Sequence, residues 1–186
     1  AGTGRNASIP TYLGNLDIKV TGGKVTNIYG AGSAAFVKSE GDTMSSVRIS
    51  AQGGTIGNIY AAGKGNENGV SLYKDESTNY TFAEETTPEK FGSLTGSASI
   101  TVGGSAIVEE NIYASGSGDS GTITGYDGDG LKSNAYLKGT AEITVNGGTI
   151  NGSIYGGGKG IAQSGYEECA RVDTGSTVKI AIAGGE

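Results

Sequence analysis

Apolar and polar positions alternate with a period of two in five short stretches of the chain. Ile18 and Val20, Val47 and Ile49, Ile100 and Val102, Ile143 and Val145, and Val178 and Ile180 fall on one face. Lys19, Arg48, Thr101, Thr144 and Lys179 fall on the other. This period predicts strands with one buried side, not helices. Each stretch runs into a Gly-Gly pair. After it a second short strand follows, carrying Val25 and Ile28, Ile56 and Ile59, or Ile150 and Ile154. Their spacing of three or four residues implies a corner between them, at Asn27, at Gly57-Asn58 or at Asn151-Gly152, because Gly and Asn tolerate positive φ. No stretch has helical periodicity bracketed by caps, so little helix is expected.

The stretches belong to one repeated unit. Four segments share a plan: DIKVTGGKVTNIYGAG (Asp17 to Gly32), VRISAQGGTIGNIYAAG (Val47 to Gly63), SITVGGSAIVEENIYASG (Ser99 to Gly116) and EITVNGGTINGSIYGGG (Glu142 to Gly158). A fifth begins as TVKIAIAGG at Thr177. The Gly-Gly pairs start at 22, 53, 103, 147 and 184, so they are 31, 50, 44 and 37 residues apart. A constant unit with unequal spacing is a rung carrying inserts of variable length. A unit that bends at Gly or Asn cannot bury its apolar face alone. Stacking the rungs pairs their strands in parallel about 4.8 Å apart and closes a core of Ile/Val ladders. The third side comes from less regular segments such as Ala35-Phe36-Val37 and Ala135-Tyr136-Leu137. The fold expected is all-β: a right-handed parallel β-helix, or β-solenoid, of about four to five coils with inserts on one edge, its hand following the crossover preference. A β-sandwich also has short strands and Gly-rich turns, but it does not call for aligned Gly-Gly and Ile-Tyr motifs.

The runs GGTIGNIYAAG and GGTINGSIYGGG resemble the Gly-rich tandem repeats of large secreted or wall-attached bacterial proteins, which are similar to the pectin-lyase-like right-handed parallel β-helix superfamily. The resemblance covers the rungs, about half the chain, and stops short of the inserts. It implies a fold and an extracellular, cell-surface setting. It does not imply one function, since that superfamily hosts adhesins, carbohydrate binders, lyases and hydrolases.

Composition narrows the function classes. Gly accounts for 36 of 186 residues, with two Pro and no G-X-Y period, which excludes collagen. The net charge is −6, without a Lys/Arg cluster, which argues against nucleic acid and against an anionic membrane surface. No apolar run approaches the ~20 residues of a membrane span. There is no His, and Cys169 is the single Cys, so a zinc site built from Cys and His is excluded and no internal disulfide can form. Cys169 reads as a small inert side chain.

Three features carry candidate chemistry. Tyr29, Tyr60, Tyr113 and Tyr155 each follow an inward Ile, so they should line up on one flank. A row of rings rising about 4.8 Å per rung could bind a glycan, or could pack on itself as a ladder. The inserts all leave just after the Ile-Tyr unit, and therefore along one edge. They carry Tyr73, Tyr80, Phe82 and Phe91, then Tyr126, Asp127 and Asp129, then Tyr166, Glu167, Glu168 and Arg171. Such loops suit binding, and they equally suit a small satellite core. Asp127 and Asp129 are the candidate calcium ligands. As an EF-hand the motif fails: starting at Asp127 puts Lys132 where Gly is required, and aligning Gly130 there leaves Gly125 first and Tyr136 last. No other cofactor is expected. Catalytic residues are not expected either. Arg48 shares an outward stripe with Lys19 and Lys179 without an acidic cluster on those strands, and the carboxylates sit in separate inserts.

The whole of 1–186 therefore reads as a single β-solenoid module, a fragment or unit of a longer repeat protein or assembly. The function expected is a non-enzymatic extracellular scaffold of adhesin type with a glycan or cell-surface ligand. The alternative is a carbohydrate-binding module using exposed tyrosines and inserts; a polysaccharide lyase or hydrolase ranks below both. Residues Ala181 to Glu186 come soon after a fresh strand begins, and that strand would offer its edge to an adjacent repeat or to a second copy, stacking end to end as a fibre subunit.

Overall fold

In a computed structural model the chain is described at residues 11–12, 15–32, 37–38, 45–65, 91–118, 134–162, 166 and 168–186. Among these there is no helix. Eleven strands form one sheet: β1 Thr11–Tyr12, β2 Asn15–Tyr29, β3 Val37–Lys38, β4 Ser45–Tyr60, β5 Leu94–Val102, β6 Ile107–Val108, β7 Ile112–Tyr113, β8 Leu137–Asn146, β9 Thr149–Ile150, β10 Ile154–Tyr155 and β11 Thr177–Gly184. Every pairing is parallel. Successive passages of the chain lie side by side in sequence order: β2, then β4, then β5 to β7, then β8 to β10, then β11.

The bends fall where Gly-Gly does. The second glycine of each pair has positive φ: Gly23 79°, Gly54 83°, Gly104 57°, Gly148 82° and Gly185 104°. A side chain there would press its Cβ against the carbonyl oxygen, which is why the motif returns in all five passages. Bent at these points, the sheet curls and its concave face becomes the core. Ile49, Ile56 and Ile59 of one passage all belong to a single buried cluster. In a flat strand Ile56 and Ile59 would face opposite ways, so the chain turns again at Gly57-Asn58.

Register builds the core from rows of like residues. Ile18, Ile49, Ile100, Ile143 and Ile180 are mutual partners, as are Ile28, Ile59, Ile112 and Ile154. Leu94, Leu137 and Val172 form a further row of partners. The observed register differs from the sequence alignment in two passages. Val47 pairs with Leu16 rather than Ile18, and Val178 pairs with Ala141 rather than Ile143. A shift of two residues leaves every side chain on its face, so alternation alone cannot detect it. It does change the outward rows. Arg48 is level with Asp17, Ser99, Glu142 and Lys179, so a carboxylate does lie on that stripe.

Burial is greatest in the middle passages, where Ile49, Ile56, Ile59, Ile112 and Ile143 have no exposed surface. On β11, Ile182 occupies the row of Val102 and Val145 yet is 69% exposed.

Candidate functional site

Alternation in the Ile-Tyr dipeptide sends Ile into the core and Tyr to the opposite face. The register Tyr29, Tyr60, Tyr113, Tyr155 then brings four phenols into one column. Ring centroids are 4.8, 4.8 and 5.0 Å apart, with planes inclined by 8°, 3° and 11°. That is offset stacking at the strand spacing itself. Both faces of Tyr60 and of Tyr113 are thus taken by neighbouring rings, and these residues are 2% and 7% exposed. Tyr155, stacked on Tyr113, is 45% exposed. A sugar ring binds an aromatic through its face, so the middle of the column offers none.

Burial raises the pKa of Tyr60, helped by the adjacent Tyr29 and Tyr113 phenols and opposed by a hydrogen bond with the Ser117 side chain. Tyr113 is raised by burial and by Tyr155, against a hydrogen bond with the Asn111 side chain. Both phenols are neutral at physiological pH.

Beside the column, the corner is held by amides that the sequence pattern did not single out as a network. Asn58 Nδ2 donates to Asn27 Oδ1 at 3.0 Å and to Glu110 Oε2 at 2.6 Å, and Asn58 Oδ1 accepts from the Asn111 amide at 3.2 Å. Asn111 Oδ1 in turn accepts from the Ser153 amide at 3.0 Å. Four passages are stitched at one corner. The signal available in the sequence was the recurrence of Asn two residues before each Tyr in the first three passages.

The insert edge begins just past the tyrosines. Lys64, Ser117 and Lys159 are bridge partners, so the chain leaves three successive passages at the same level. It comes back at Gly92, Ala135 and Ala170, all with positive φ. A backbone bond closes each neck: Gly63 N–H to Gly92 O at 2.6 Å, Gly116 N–H to Ala135 O at 3.0 Å, and Gly158 N–H to Ala170 O at 3.0 Å. Glycine is required at the departure points, since a Cβ on Gly63, Gly116 or Gly158 would run into the carbonyl oxygen of Gly32, Gly63 or Gly116. Ser115 Oγ, fully buried, lies 3.0 Å from both the Ala135 and Arg171 carbonyl oxygens and donates to this pair. Arg171 braces the last neck, with Nη1 donating to Glu168 Oε2 at 2.8 Å and the guanidinium 5.3 Å from the Tyr136 ring centre. Phe91 and Cys169 are buried at the returns, and Tyr166 is half-buried, its carbonyl accepting from the Cys169 amide at 3.0 Å.

Of the sequence candidates, the structure therefore gathers Tyr29, Tyr60, Tyr113 and Tyr155 and places Tyr166 apart, at the third insert. Tyr73, Tyr80, Tyr126, Asp127 and Asp129 lie outside the described residues. Among the described residues no group of three or more carboxylates or thiols is placed to hold a metal ion, and no helix is long and apolar enough to cross a membrane. Comparison with family models, with curated proteins and with solved structures finds no match for this chain.

Proposed function

We propose that the chain is a right-handed parallel β-helix of about four to five coils, working outside a bacterial cell as a non-enzymatic scaffold of adhesin type that presents its inserts to a surface ligand. The observation that carries this reading is the set of three aligned, hydrogen-bonded necks, which hang inserts of different length from one edge of a rigid frame. Binding residues belong on loops held by such a frame. A parallel sheet stitched passage to passage by ladders of like residues supports the helical coil. Stacking of a further repeat or a second copy on β11 belongs to the same reading and is favoured by the exposed apolar Ile180 and Ile182.

The test replaces 66–90 by a short Gly/Ser linker. The reading expects an unchanged far-UV circular dichroism spectrum and loss of binding to intact target cells. Turnover of a polysaccharide by the purified chain would overturn it. A second reading, a carbohydrate-binding module, has in its favour the exposed ring of Tyr155, at the end of the stacked column. Glycan-array binding that survives the linker replacement and is lost in Tyr155→Ala would promote it.

A further inference from the structure

The asparagines of the amide corner differ in how firmly they are held. Asn27 Oδ1 accepts from Asn58, the Asn58 amide is bonded through both its nitrogen and its oxygen, and Asn111 Oδ1 accepts from the Ser153 amide. Asn151, at the same corner of the fourth passage, is the exception. It is exposed, it lies in the bend between β9 and β10, and among the described residues nothing bonds its side chain. Its main chain is tied there by its own N–H alone, which donates to Val108 O at 2.9 Å.

The residue that follows Asn151 is set by packing. A Cβ at position 152 would run into the Glu110 carbonyl, so glycine is required there. Gly152 is exposed, and among the described residues its N–H donates to no acceptor. The corner thus brings together an unheld amide side chain, an unengaged main-chain nitrogen one residue on, and water. Asn27, Asn58 and Asn111 are each followed by Ile, whose branched side chain crowds its own nitrogen.

We propose that Asn151-Gly152 is a self-modifying site, converted through a succinimide into aspartate and isoaspartate. The Gly152 nitrogen loses its proton to a solvent base and attacks Asn151 Cγ. The bond from Cγ to the side-chain nitrogen breaks, ammonia leaves, and a five-membered ring closes. Water then adds to one of the two ring carbonyls and opens the ring. Opening at Cγ leaves an aspartate; opening at the main-chain carbonyl leaves an isoaspartate, with Cβ inserted into the main chain. No oxidant, metal or enzyme takes part. Either product adds a negative charge level with Glu109, one strand spacing away, about 4.8 Å, where like charges repel. The isoaspartate also lengthens the path to Ser153, whose amide donates to Asn111 Oδ1 at 3.0 Å and whose carbonyl accepts from the Ile112 amide at 3.0 Å. Conversion therefore loosens the fourth passage from the third. The inference concerns the frame rather than the inserts, and stands whether or not they bind anything.

The experiment ages the full chain in mildly alkaline buffer, digests samples with trypsin and follows the 139–159 peptide by tandem mass spectrometry. Isoaspartate in that peptide is scored with a protein isoaspartyl methyltransferase and a labelled methyl donor. Asn146-Gly147, in the same peptide, is the internal control. Asn146 is exposed too, but it ends β8 and registers with Gly184 of β11, so the ladder holds its backbone extended, away from the geometry of ring closure. In the folded chain Asn151 should convert about tenfold faster than Asn146, the rate cost of giving up roughly one ladder hydrogen bond on the way to the ring. In urea the two rates should converge. Conversion should quicken as pH rises, because the attacking nitrogen must give up its proton, and Asn151→Gln should remove most of the methyl label from the peptide. Amide exchange at Ile112 should be faster in the converted chain. The proposal is overturned if Asn151 converts no faster than Asn146 in the folded chain, if their ratio is unchanged in urea, or if Asn151→Gln leaves the label in place.

Discussion

The ring of Tyr60 lies on the ring of Tyr113 with centroids 4.8 Å apart and planes 3° from parallel. Tyr60 has a second ring, Tyr29, on its other side at the same distance. Its removal therefore unstacks two neighbours and opens a hole at a 2%-exposed position. Tyr60→Ala should cost about 3–5 kcal/mol, the range for deleting a buried aromatic. Tyr155→Ala, at an exposed position, should cost about 1 kcal/mol. Urea unfolding of the two variants checks both values, and the order Tyr60 above Tyr155 is the decisive part.

The same column makes the fold sensitive to alkali. The phenols of Tyr60 and Tyr113 titrate above their ordinary value in the folded chain, chiefly through burial. A folded pKa higher than the unfolded one means that the folded state holds its proton longer. The stabilising effect is complete below the unfolded pKa of about 10 and is lost as pH rises through the folded values. Unfolding free energy should be flat in this respect up to about pH 9 and fall beyond pH 10. Spectroscopic titration of the phenolates should show part of the absorbance appearing only as the chain unfolds. In Tyr60→Phe the alkaline fall should be shallower.

Asn58 is the corner residue whose loss should be felt most. It satisfies Asn27, Glu110 and the Asn111 amide together while only 5% exposed. Asn58→Ala strips partners from a carboxylate and a backbone N–H at once and should cost about 1–3 kcal/mol. Asn27→Ala, on an exposed residue that accepts one bond from this network, should cost less. Thermal unfolding of the two variants, run side by side, ranks them.

Glycines with different surroundings should respond differently to the same change. Nothing lies within 4 Å of a Cβ built on Gly22, and Gly22→Ala should stabilise by about 0.4–1 kcal/mol by stiffening the unfolded chain. At Gly63 the new methyl would meet the Gly32 carbonyl oxygen and the Gly92 backbone. Gly63→Ala should therefore destabilise strongly and prise open the first neck, read as faster amide exchange at Gly63 and Lys64.

Much of this was legible in the amino-acid order. Alternation picked the buried face of β4, β5 and β8, while on β11 the same face stays exposed at Ile180 and Ile182; Gly-Gly marked each bend, because only a residue without Cβ takes positive φ at no cost. The tyrosine column followed from Ile-Tyr. Register was not legible from alternation, since a two-residue slip is silent in a period of two. Counting back from the Gly-Gly pair would have found it: Ile18, Ile49, Ile143 and Ile180 each stand four residues before theirs. Only the third passage breaks the count, with Ile100 three residues before Gly103. The amide corner was half legible. Asn27 and Asn58 were read as turn residues, but their side-chain bonds depend on which residues the register sets level.

The closed necks have a consequence for how such a chain diversifies. A backbone bond closes the base of each insert, Gly63 to Gly92, Gly116 to Ala135 and Gly158 to Ala170. Once a neck is closed, doubling the length of what hangs from it costs only about 0.6 kcal/mol of closure entropy, less than the loss of a single buried methylene, about 0.8 kcal/mol. Added length beyond the necks is thus inexpensive in closure entropy, while one methyl group at Gly63 is barred. Selection is free to lengthen or shorten the inserts and is held to the letter at their bases, so descendants of this chain should share these glycines and differ most in the length between them.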